Sequence, residues 1–179
     1  MSGQITLDYA DPNNTYGLGW SFFPVDIDNN ETKYCFLDTV NNKFSLYNMN
    51  FTPFMTNIQL PGSFNQNYVV MYISRRLFDC DSSNIEYMYS APFVLSSTLK
   101  ILRTNGNVLF TKDSTIALYS IGCLGGSNDM RPIRKTSAGT KMFLGKYVPS
   151  NPNNNIQNQV YSLCGTLPIG FAEIFKIFE

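Results

Sequence analysis

The chain of 179 residues contains no histidine. That absence excludes the Ser-His-Asp and Cys-His nucleophile systems and every His-ligated zinc site. Any catalysis would fall to carboxylates, Lys, Tyr or an unassisted cofactor. Charge is also scarce. Asp, Glu, Lys and Arg make up 15% of the residues and the formal net charge is zero, against roughly 25% charged residues in an average protein. A nucleic-acid footprint needs a basic excess on one face. The only basic clusters are Arg75-Arg76 and Arg131 to Lys135, and both read as solvated edges. Neither a nucleic-acid partner nor a membrane span is expected, since no run approaches the ~20 apolar residues that a span needs. The segment after Met1, SGQITLDY, has neither the basic start nor the apolar stretch of a signal peptide.

Cysteine is sparse and scattered at Cys35, Cys80, Cys123 and Cys164, so there is no CxxC metal or redox motif. In a secreted chain an even count permits two disulfides, in any of three connectivities. Cys35 and Cys164 lie in apolar runs and read as small buried side chains. Cys80, between two aspartates, and Cys123, beside a glycine pair, carry less signal.

What the chain does have is alternation. Aromatic and β-branched residues recur in short runs separated by Asn, Asp, Gly, Pro and Ser, the pattern of strands and turns. In LKILRTNGNVLFTK, Asn105-Gly106 separates two such runs and predicts a hairpin with a two-residue type I′ turn. KYCFLD, IEYMYS and TKMFLG occupy equivalent places in three series offset by roughly 50 residues, a spacing within the range of propeller-type repeats. FSLYN, LKILR and QVYSL form a second such set, and TNIQL and VLFTK a third. NYVVMYISRRLF and TIALYSIG read as the fourth strands of the first two series, and DIDNN as a polar turn. ITLDY, near the N-terminus, could complete the last sheet, and only Phe171 to Phe178 has helical spacing. The expected fold is all-β: one domain over 1–179 of short antiparallel sheets in about three repeats (33–84, 85–138 and 139–179). It is propeller-like, with a β-sandwich as the alternative.

LFDCDSSNIEYMYS, LKILRTNGNVLF, IRKTSAGTKMFL and QVYSLCGTLP resemble, in order and spacing, stretches of secreted Bacteroidota modules that precede a C-terminal type IX secretion sorting domain. The likeness covers roughly Lys33 to Pro168. It departs at Cys164, where those modules usually have Pro, and no sorting domain follows Pro168. The resemblance implies an extracellular or cell-surface location and no enzymatic activity. Asp38-Thr39-Val40 and Asp113-Ser114-Thr115 look like the short sites O-glycosylated in such proteins, although Asp/Ser/Thr turns have the same composition.

Asp79, Asp81 and Glu86 form the densest acidic group and are calcium candidates, because a hard cation takes six to eight oxygen ligands. The loop lacks the Gly and Glu that complete an EF-hand, and Asx-bonded turns use the same residues. Asp26, Asp28 and Asn30 form a similar set. Asp26, Asp79 and Asp129 could converge at one end of the sheets as glycosidase carboxylates. Tyr47, Tyr72, Tyr87, Tyr89 and Tyr161 could stack on sugars, but alternation in IEYMYS places Tyr87 and Tyr89 on a buried face with Ile85. Gly122 to Gly126 lacks the Lys-Ser/Thr and the helix of a phosphate loop. The composition and the resemblance together lead to the expectation of a non-enzymatic secreted or cell-surface module for adhesion, glycan binding or assembly. Its partners would be surface proteins, glycans or further copies of itself. The alternatives are a small carboxylate-dependent glycoside hydrolase or lyase, and a structural subunit of a surface filament or phage particle.

Overall fold

The computed structural model describes residues 22–38, 40–61, 69–90, 98–117, 132–149 and 156–167. All regular structure among them is β-strand, arranged as three antiparallel four-stranded sheets. The first is a meander of β1 (Phe22–Asp28), β2 (Glu31–Asp38), β3 (Lys43–Tyr47) and β4 (Pro53–Gln59). The second repeats it with β5 (Val69–Ser74), β6 (Glu86–Ser90), β7 (Leu99–Arg103) and β8 (Val108–Lys112). In the third, β11 (Gly139–Tyr147) is central and β12 (Ile156–Ser162) pairs with it along most of its length. β10 (Ile133–Thr136) pairs with the start of β11, and β9 (Thr115–Ala117) with its later part.

NYVVMYISRRLF and TIALYSIG were expected to end their series, but β5 opens the second sheet and β9 belongs to the third. A strand pairs with whichever neighbour completes its hydrogen bonds, and alternation does not name that neighbour. DIDNN is a turn only at Asn29-Asn30, because Val25 and Ile27 carry β1 inward as far as Asp28. ITLDY, Cys123, Gly122 to Gly126, Asp129 and Phe171 to Phe178 lie outside the described residues.

The second sheet is the middle layer. One core joins the inward faces of β1–β4 (Val25, Ile27, Cys35, Leu37, Phe44, Leu46, Ile58) to Val70, Ile73, Tyr87, Tyr89 and Leu102 of the second sheet. The other core joins the opposite face of that sheet (Tyr72, Met88, Leu99, Ile101) to Ile133, Met142 and Leu144 of the third. Every residue of β6 is therefore buried. Phe44 meets Tyr87 edge-on across the first interface at 5.2 Å. The Tyr72 hydroxyl accepts the Ile133 N–H at 3.3 Å across the second. Full burial of each such side chain contributes about 1.5–3 kcal/mol, so the two cores hold the layers in register.

Candidate functional site

β1, β3, β5 and β7 all run toward the same end of the stack, where their turns gather. The β3–β4 and β7–β8 turns share one geometry. The Gly106 N–H donates to Arg103 O and the Arg103 N–H to Asn107 O. The Phe51 and Asn48 N–H groups make the equivalent bonds to Asn48 O and Thr52 O. Each is a three-residue loop whose last residue is left-handed, Gly106 at φ 90° and Phe51 at φ 63°. The expected type I′ turn at Asn105-Gly106 is thus a type I turn with a G1-type bulge, in which only the glycine needs positive φ. Phe51 holds that conformation at a cost of order 1–3 kcal/mol, and its ring stacks on Tyr34 at 4.9 Å.

The loop from Arg75 to Ile85 is built by side chains bonding its backbone. The Ser74 hydroxyl accepts the Arg76 and Leu77 N–H groups, and the Glu86 carboxylate accepts those of Phe78 at 2.8 Å and Asp79 at 3.0 Å. Asp79 accepts the Asp81 N–H, and Asp81 the Ser83 N–H and hydroxyl. Cys80, left-handed at φ 60°, is disulfide-bonded to Cys164, with the two Cα atoms 5.7 Å apart. The Gly165 N–H donates to Leu77 O at 3.2 Å, and a Cβ at Gly165 would overlap the Arg76 carbonyl. Cys164 is therefore exposed and cross-linked, contrary to the expectation of a buried thiol, while Cys35 is buried and free.

The cations at this end are paired. Arg75, read from sequence as a solvated edge, reaches between sheets to Glu31 through Nε at 2.6 Å and Nη2 at 3.0 Å. The Lys33 ammonium lies 3.1 Å from Glu31 and donates to Asn48 Oδ1 at 2.9 Å. Phe54 sits beneath both cations, with its ring centroid 4.3 Å from Lys33 Nζ and 5.5 Å from the Arg75 guanidinium. Arg76 pairs with Asp28, and Arg103 with Asp79 and Asp81. The Arg75 bond holds Glu31 below the usual carboxylate range, and the Arg76 bond does the same for Asp28. Bonds from Ser83 lower Asp81. Glu86 moves the other way. It is fully buried, and desolvation pushes its carboxyl up to about 7.

These partners define what the calcium candidates do here. Glu86 points inward onto backbone amides, and the positive charge beside Asp79 and Asp81 is the Arg103 guanidinium. Among the described residues, no group of three Asp, Glu, His or Cys side chains is arranged to hold a metal ion. Asp26 accepts the Thr32 hydroxyl, Asp28 belongs to Arg76, and Asn30 is a left-handed turn residue. Tyr72, Tyr87 and Tyr89 are core residues, as alternation predicted for the last two. Asp38 and Asp113 both lie at turns, bonded to Asn41 and Thr98.

Between the first two sheets, at this end, lies a groove of about 220 Å³. Phe54, Met55 and Ile85 supply apolar lining, and Arg75, Ser83, Asn84, Thr104 and Asn105 supply polar lining. Among the groove's amides and hydroxyls, the sequence marks Asn105 as a turn former and Ser83 and Asn84 as part of the acidic loop, and no spacing joins them. The Arg75–Glu31 pair spans 44 positions, and no local pattern carries it. Comparison with family models, with curated proteins and with solved structures returns no match.

Proposed function

We propose that the chain is a non-enzymatic binding module that works outside the cell, with a glycan as its ligand. The observation that carries the reading is the groove at the turn-bearing end, lined among the described residues by neutral amides, hydroxyls and one aromatic ring, with its cation already paired to Glu31. Amide and hydroxyl groups exchange hydrogen bonds with sugar hydroxyls, and an aromatic face meets sugar C–H groups. The carboxylates nearby support binding over chemistry, because Glu31, Asp28, Asp79 and Asp81 are tied to arginines and Glu86 to backbone amides. The Cys80–Cys164 bond supports the location, since such bonds persist mainly in oxidising compartments, and the resemblance to secreted Bacteroidota modules agrees with it. We also read the architecture as propeller-like. Two successive four-stranded meanders pack face to face with their first strands, β1 and β5, in contact, and that arrangement supports the reading.

The test is a glycan panel assayed for binding and for turnover. Saturable binding without turnover is expected. Turnover abolished by Asp79→Asn or Asp81→Asn would replace this reading with a carboxylate-dependent hydrolase or lyase. A symmetric assembly in solution with no glycan binding would replace it with a filament or particle subunit.

A further inference from the structure

We infer that the groove between Phe54 and the Thr104-Asn105 turn is a subsite for one neutral hexopyranose unit, the end residue or a branch of a glycan. The inference rests on the glycan-binding reading above and gives it a place and a ligand class.

Size sets the first limit. At about 220 Å³, the groove is smaller than the ~300–1,000 Å³ of clefts that enclose a drug-sized ligand. It suits a single ring, with the rest of the glycan in solvent.

Spare hydrogen-bonding capacity sets the second. Asn105 uses Oδ1 on the Asn107 N–H, which leaves its Nδ2 as a donor. Asn84 spends Nδ2 on Asp81 and Ser83, which leaves Oδ1 as an acceptor. Arg75 commits Nε and Nη2 to Glu31 and retains Nη1. The Thr104 hydroxyl lines the same groove with no bond to another described residue. A donor amide, an acceptor amide and a hydroxyl that can do either match adjacent sugar hydroxyls, each of which also donates and accepts.

Charge sets the third. Among the described residues Arg75 is the one cation lining the groove, and Glu31, which also pairs with Lys33, holds it with a bidentate bond. An anionic sugar would have to compete with that carboxylate, so the chemistry favours a neutral ring over a uronate or a sugar phosphate.

Preorganisation is the fourth observation. The groove's walls follow two left-handed residues of this end, Phe51 three positions before Phe54 and Cys80 three before Ser83. Backbone held in such conformations by its surroundings concentrates at ligand sites. The disulfide, the Glu86 bonds and the Thr104 N–H bond to Ile85 O at 2.8 Å fix the walls before any ligand arrives, which lowers the ordering cost of binding.

The experiment uses the intact, oxidised chain, the methyl glycosides of common neutral hexoses and their uronate counterparts, with saturation-transfer NMR and calorimetry as readouts. At least one neutral glycoside should bind more tightly than its uronate. Thr104→Val removes the hydroxyl at constant shape, and Asn105→Asp keeps the turn bond while removing the Nδ2 donor. Each should weaken binding about three- to tenfold, the loss of one hydrogen bond, at unchanged thermal midpoint. Glycan binding that neither variant alters would overturn the subsite and leave the glycan-binding reading standing. Preference for the uronate would overturn the neutral-ring assignment. Absence of binding to both the monosaccharides and the glycan panel would overturn both.

Discussion

Glu86 offers the sharpest quantitative check of how the loop beside the groove is held. Its carboxyl is fully buried and raised from 4.5 to about 7 in the folded protein. A raised carboxyl binds its proton more tightly when folded than when unfolded. It therefore contributes stability that is fully present below pH 4.5 and is lost as pH rises through about 7. The whole shift corresponds to about 3 kcal/mol at 1.36 kcal/mol per pH unit, and about 2 kcal/mol of it falls between pH 5.5 and 8.5. The described carboxylates with lowered values act outside that window. Asp28, Glu31, Asp38 and Asp81 are all lowered, so their contributions are present above their unfolded values near 4 and are lost only on acidification below them. Urea unfolding of the oxidised protein, followed by circular dichroism at steps from pH 5.5 to 8.5, should show stability falling by about 2 kcal/mol. In Glu86→Gln the titrating group is gone and the slope should flatten. The variant should also lose about 1–3 kcal/mol at pH 5.5, because the amide NH2 that replaces one carboxyl oxygen cannot accept from the Phe78 or Asp79 N–H it then faces. A wild-type curve that is level or rises with pH, or a variant that keeps the slope, would refute the assignment of a buried, proton-binding anchor.

Two further outcomes follow from the same loop and its neighbours. The Cys80–Cys164 bond closes a separation of 84 residues, which the chain-entropy picture values at about 4–5 kcal/mol. Cys80→Ser with Cys164→Ser should therefore lower the thermal midpoint by about 10–15 °C, and calorimetry showing a fall of under about 3 °C would contradict the cross-link. Two glycines should behave differently when changed to alanine. Gly106 sits at φ 90° with open space around it, so Gly106→Ala should cost about 1–2 kcal/mol of backbone strain alone. Gly165→Ala must push two backbone segments apart and should cost about 3 kcal/mol or more. Equal losses in denaturant titrations would mean that the segment after β12 and the β5–β6 loop do not approach as closely as the Gly165–Leu77 bond requires.

Legibility in the sequence followed how local the cause was. Strand identity was legible because alternation is set by each strand's own pleat: KYCFLD, LKILR and TKMFLG all lie within strands that pair as second or third members of their sheets. The same alternation placed Tyr87 and Tyr89 in a core but could not show that Met88 and Glu86, on the opposite face, are buried too. Two-sided burial is a property of the third sheet's position, and a strand's own residues do not report who packs on its far side. Turn chemistry failed in a different way. Asn105-Gly106 marks a hairpin, yet the loop includes Thr104, and the turn at Asn48–Thr52 shares its geometry although Phe51 stands where propensity demands glycine. An aromatic residue kept in a left-handed position, with its ring stacked on Tyr34, is a local rule broken, and such breaks gather where a protein does something besides fold. The groove lies beside that break, and beside a second one at Cys80. Its makers, Arg75 with Glu31, Asn84, and Thr104 with Asn105, come from three turns that sequence spacing never links. That is why the chain announces its scaffold and conceals its candidate site.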